Sequence, residues 1–138
     1  MKFSIGTAVL VAAILAPAFA CAQIAAGDLK SKGTRMAKDD LEAALKGSTL
    51  RYISANGQPY QYALNADGTF QATVFTRQGR PSRFGHNGTW HVTNEGRFCR
   101  TDESKGQNDQ LCLTIWKLDG KFYYVGQGER VTELELSN

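Results

Sequence analysis

From Leu50 to the C-terminus the chain is written in period two. The runs "LRYISA", "PYQYALN", "TFQATVFT", "GTWHVT", "RFCRT", "QLCLTIW", "KFYYV" and "RVTELEL" alternate apolar and polar residues. Between them stand Asn56-Gly57, Asp67-Gly68, Asn94-Glu95-Gly96, Asp119-Gly120 and a "GQGE" segment at Gly126. Side chains on a strand alternate between faces, so each run has one face to bury. Asn-Gly and Asp-Gly pairs accept positive φ and favour hairpins. The pattern predicts about eight antiparallel strands joined as a meander. Such a sheet leaves two free edges unless it closes, so the expected fold is all-β, a small calycin-like up-and-down barrel. A curved open sheet or a sandwich is the alternative architecture.

Upstream, "AKDDLEAALKGSTL" is the one segment with a helical period. Asp39 or Asp40 can cap it, Leu41, Ala44 and Leu45 share a face, and Gly47 stops it. One short N-terminal helix is expected to plug or flank the barrel. Residues 23–36 are polar with no sustained period and read as a flexible spacer.

The first 22 residues read as a signal peptide: Lys2, an apolar run from Ile5 to Leu15, Pro17, then small residues. Small-x-small cuts fall after Ala20 and after Ala22, and the run is too short for a membrane span. Acylation of Cys21 is the alternative, and only that would bring the protein to a membrane. The expected organisation is leader 1–22, spacer 23–36 and one barrel domain 37–138. The expected compartment is periplasmic or extracellular.

The cysteines follow the same logic. With Cys21 removed or acylated, Cys99 and Cys112 form a pair, which in an oxidising compartment is a disulfide. Centring a hairpin on Asn94-Glu95-Gly96 sets Trp90 opposite Arg100, His91 opposite Cys99 and Val92 opposite Phe98. Pairing Cys99 with Cys112 then sets Phe98 opposite Leu113 and Arg100 opposite Leu111. One face holds Trp90, Val92, Phe98, Leu111, Leu113 and Ile115; the other holds His91, both cysteines and Trp116. The bond is expected to cross-link neighbouring strands and hold the loop "ESKGQN".

The motif order "LKGSTLRYISANGQPYQYALNADGTF", G-T-W-x-V, a glycine turn, C-R, a second cysteine a dozen residues on, and "LDGKFYYV" resembles an uncharacterised family of small secreted proteobacterial proteins of unknown function. The resemblance covers about Leu45 to Val125. It implies a lipocalin-like or streptavidin-like all-β body and brings no activity and no catalytic residues.

Chemistry-bearing patterns are sparse. His86 and His91 are read as a loop and a strand residue with side chains on opposite faces, which does not make a metal site. No nucleophile elbow, phosphate loop or dinucleotide motif is present, so no enzyme activity and no cofactor are expected. The net charge of +3, of which Lys2 supplies one, is too small to argue for nucleic acid. Two features point to binding. Arg100 shares the inward face with Trp90, and Tyr62 and Tyr124 are inward aromatics, so Tyr62, Trp90, Arg100 and Tyr124 are candidate ligand-binding residues in a lumen. The loop "TRQGRPSRFGHN" is basic with an aromatic tip, and Arg80, Arg83 and Phe84 are candidate contacts for an envelope or host protein. The expected function is binding of a small ligand; the alternative is an interaction module or an inhibitor of an envelope enzyme, by fold analogy with periplasmic lysozyme inhibitors.

Overall fold

A computed structural model describes residues 23–82, 85–103 and 110–138. The expected leader, Cys21, Arg83, Phe84 and most of the "ESKGQN" loop lie outside the described residues. Eight strands form the predicted closed antiparallel barrel: β2 (Thr49–Ile53), β3 (Pro59–Leu64), β4 (Thr69–Val74), β5 (His86–Val92), β6 (Arg97–Asp102), β7 (Gln110–Leu118), β8 (Lys121–Val125) and β9 (Val131–Ser137). Each pairs with its sequence neighbour, and β9 returns to β2, with Leu50 opposite Leu136.

The alternation read in the sequence is the alternation in space. Leu50, Tyr62, Leu64, Phe70, Trp90, Phe98, Ile115 and Leu134 point inward and are buried. Arg51, Gln71, Thr89, His91, Glu133 and Glu135, one residue out of phase, are exposed. Filling an eight-stranded barrel with this many rings and leucines leaves a packed core rather than a channel.

The cysteine hairpins have the predicted register. Trp90 faces Arg100, His91 faces Cys99, Cys99 faces Cys112 and Arg100 faces Leu111. The disulfide joins adjacent strands with Cα atoms 4.0 Å apart, the close approach of an antiparallel pair that does not exchange backbone hydrogen bonds. Gly88, on β5, is set by packing: a Cβ there would lie 2.1 Å from the Thr101 carbonyl oxygen and 2.6 Å from the Phe70 ring.

The N-terminal segment departs from expectation. Residues 23–36 are no free spacer, and the described residues hold two short α-helices rather than one. Ala26–Lys32 form α1, which rests against β7 with Ala26 and Leu29 buried. Thr34–Arg35 form β1, paired with Lys117 and Trp116 of β7. The reason is geometric. The pairing of β6 with β7 runs only as far as Arg97–Thr114, and β7 continues to Leu118. β1 takes the place beside its second half, and the Met36 N–H donates to the Ile115 carbonyl at 3.0 Å. An edge that would stand open is thereby paired.

The expected helix is α2, Lys38–Leu45. Asp39 and Asp40 sit in its first turn, where carboxylates suit the helix dipole, but neither caps it; Ala37 is the N-cap residue. Leu41 and Leu45 are fully buried in the core cluster, so the helix closes one end of the barrel. Gly47, at φ +74°, breaks the helix and hands the chain to β2.

Candidate functional site

With α2 at one end, the described connections at the other are Ser54–Gln58, residues 75–82 and Gly126–Arg130. Inward residues at this open end are more polar than those near α2. Arg100 lies with its guanidinium carbon 4.6 Å from the centre of the Tyr62 ring. Its Nη1 donates to Asp102 Oδ1 at 3.3 Å. His86 Nε2 lies 3.4 Å from the same Oδ1 but in a direction that makes no hydrogen bond. Tyr52 stacks on Tyr60 and on Tyr62, with ring centres 5.3 and 6.0 Å away, and meets Tyr124 edge-on.

Burial dominates the electrostatics of this cluster. The Tyr62 phenol is pushed far above the ordinary tyrosine range by desolvation, with the Arg100 cation pulling the other way. Tyr52 is raised by the same cause, opposed by Tyr62 and Arg100. The two hydroxyls interact, although the buried Tyr62 hydroxyl makes no well-aligned hydrogen bond. These side chains nearly fill the lumen. A cavity among them, bounded by Tyr52, Tyr62, Phe98, Arg100, Leu113 and Tyr124 among others, has a volume of about 20 Å³, room for about one water molecule.

A larger concavity lies on the outer side of β9, β2 and β3, next to the open end. It has a volume of about 670 Å³, within the range of small-molecule and peptide clefts. Its apolar lining comes from Ile53, Pro59, Phe75 and Val131, and Arg51, Arg130, Glu133 and Glu135 line it with charge. Ile53 is 61% exposed, an unusual position for a β-branched aliphatic side chain. The β2–β3 turn beside the groove is braced from two sides: Arg77 Nη2 donates to the Asn56 carbonyl and Arg130 Nη1 to the Ala55 carbonyl, both at 3.3 Å.

Of the residues singled out from sequence, Tyr62, Arg100 and Tyr124 come together around the small lumen cavity. Trp90 does not join them; its indole N–H donates to the Asn65 carbonyl at 3.0 Å, in the β3–β4 turn near α2. Arg80 is exposed in the loop after β4, where its backbone closes a turn with Thr76. His86, expected in a loop, begins β5 and points inward, while His91 points outward.

The sequence reading missed Asp102 and Tyr52 in the lumen and the whole outer groove. A signal for the groove was present. Ile53, Pro59, Phe75 and Val131 each occupy an outward position in phase with polar neighbours such as Arg51, Gln61, Thr73 and Glu133. Four apolar residues out of phase at the same end of four strands mark a surface patch.

Among the described residues no three His, Cys, Asp or Glu side chains converge as metal ligands, and no helix is long and apolar enough to cross a membrane. Compared with known proteins, the chain matches no family model and no curated relative.

Proposed function

We propose that this is an exported binding protein that works through the groove beside the open end of its barrel. One observation carries the reading: the lumen has space for about one water, whereas the groove outside β9, β2 and β3 has about 670 Å³ and an exposed apolar floor. The barrel is the rigid support, closed by α2 and by the Cys99–Cys112 bond, and the groove is the recognition surface. Export is supported by the disulfide, which persists in oxidising compartments, together with the leader-like first 22 residues. Action by binding rather than catalysis fits the polar cluster in the lumen. Asp102 is engaged by Arg100, and His86 faces Tyr62, Phe70 and Asp102, with no nucleophile placed beside an activating base among the described residues.

The test is chemical-shift mapping of a fragment library on the isotope-labelled protein. Binders are expected to move the amides of Ile53, Phe75 and Val131, and Ile53→Glu is expected to abolish those shifts without unfolding the protein. Shifts concentrated at Tyr62, Phe98 and Leu113 would return the site to the lumen. No shifts at either place would remove the reading.

A further inference from the structure

The charges around the groove are unevenly matched. Glu129, next to Arg130, is held by Lys30 of α1 at 3.0 Å. Glu133, on the groove wall, is held by Lys121 at 3.1 Å. Asp102, in the barrel mouth, is held by Arg100. Three of the nearby acids are therefore neutralised from within, and Glu135, opposite Arg51, is not. Among the described residues Arg51, Arg77, Arg80 and Arg130 have no carboxylate within ion-pair distance. Arg51 spends its Nε on the Gln61 side chain at 2.8 Å. Arg77 and Arg130 each spend one nitrogen on a turn carbonyl, which fixes them on either side of the β2–β3 turn. A guanidinium carries five donors, so both keep most of theirs for a partner.

Resting on the groove as the binding surface, we propose that its partner is an acidic segment of another protein carrying an apolar anchor. The anchor seats on Ile53, Pro59, Phe75 and Val131; carboxylates on either side of it meet Arg130 and Arg77. Charge complementarity selects the sign. The spacing selects a chain over a single small anion, because the four cations stand on three separate segments, β2, the loop after β4 and the residue before β9. The apolar floor selects a peptide over a bare polyanion, which has nothing to place there. Glu135 gives the groove a direction. Among the described residues it makes no ion pair, and it lies opposite Arg51 on the neighbouring strand, so the two charges offset one another at the end of the groove away from the turn and the uncompensated positive charge stands at Arg130 and Arg77. The acidic flank of the partner therefore lies at the β2–β3 turn.

The experiment uses fluorescein-labelled hexapeptides with two central apolar residues. One set is flanked by Asp and Glu, a second by Lys, and a third has the acidic flanks around a Gly-Gly centre; inorganic polyphosphate is the fourth probe. The acidic-apolar set is expected to bind, at least tenfold more tightly than either control set, and more weakly as salt rises. Arg130→Gln with Arg77→Gln is expected to cost at least tenfold in affinity, and Ile53→Ser a similar factor, each with the thermal transition retained. Equal binding of the Lys-flanked peptides, or acidic binding unmoved by the paired arginine substitutions, overturns the proposal. So does tight polyphosphate binding that ignores Ile53→Ser, which would make the rim a polyanion surface. If fragments still shift the Ile53 and Phe75 amides while acidic peptides do not bind, the groove stands and the acidic partner falls.

Discussion

Reducing the Cys99–Cys112 bond is the perturbation whose size follows most directly from the structure. The two residues are 13 apart in sequence, and closing a loop of that length removes about 3 kcal/mol of chain entropy from the unfolded state at 25 °C. The native state loses little, because β6 and β7 keep their backbone pairing from Arg97–Thr114 to Thr101–Gln110 without it. For a folded unit of about 115 residues, at roughly 2.1 cal/mol/K of unfolding entropy per residue, that loss lowers Tm by about 12 °C. In urea the midpoint falls by about 2 M for an m-value near 1.5 kcal/mol/M, and m rises because the reduced unfolded chain exposes more surface. The assay is thermal and urea unfolding of oxidised and reduced protein, with thiol titration to confirm two free sulfhydryls. A Cys99→Ala, Cys112→Ala double variant serves as an independent check; it falls slightly lower, since Cys99 is fully buried. Reduced protein that titrates two thiols yet melts within about 3 °C of the oxidised form refutes the chain-entropy account.

Three further outcomes follow from the interior. Gly88→Ala is expected to destabilise by about 3 kcal/mol or more in urea unfolding, because the added carbon meets the Thr101 carbonyl and the Phe70 ring; an unchanged midpoint would show that β5 shifts freely. Leu45→Ala, which removes a fully buried contact between α2 and the barrel, is expected to cost about 2–5 kcal/mol by the same assay, and a smaller loss would mean that the helix is not the plug. Tyr62→Phe deletes a buried hydroxyl that makes no well-aligned hydrogen bond and has the Tyr52 hydroxyl as its neighbour, and it is expected to leave stability at neutral pH within about 1 kcal/mol of the parent. Its effect on alkaline unfolding is separate. A tyrosine whose folded pKa is raised keeps its proton when the unfolded one loses it, so stability is intact below about pH 10 and declines above it, by up to about 1.4 kcal/mol per pH unit for one group. Tyr62→Phe is expected to make that alkaline decline shallower, and an identical pH profile in the two proteins contradicts the burial argument.

How much of this could be read from residues depended on distance along the chain. The β5–β6–β7 register was legible pair by pair because Asn94-Glu95-Gly96 fixes one hairpin and the two cysteines fix the next; both constraints lie within thirty residues of one another. Closure by β9 against β2 was legible only as a need to remove free edges, since nothing in "RVTELEL" names Leu50 as the partner of Leu136. α1 was not legible: Ala26 and Leu29 are only two apolar contacts in a polar stretch, and the element they pack against is β7, more than eighty residues away. Arg100 was placed inward by register alone, but its companions Asp102 and His86 were not, because a charged residue near a strand end reads as solvated until a second charge is found facing it. The groove was hidden for the same reason on a larger scale. Its floor is assembled from β2, β3, β9 and the end of β4, and no single run shows more than one of its residues.

The short strand β1 has a practical meaning for anyone handling the protein. Residues 115–117 of β7 carry strand-shaped backbone whose outer side is occupied by Thr34, Arg35 and Met36. Trimming that removes those three residues leaves the eight barrel strands in place and bares hydrogen-bonding groups in the geometry that a second molecule can dock on. The amino-terminal stretch thus acts as a guard against self-adhesion, and where a protease cuts or a tag is joined decides whether the guard stays on.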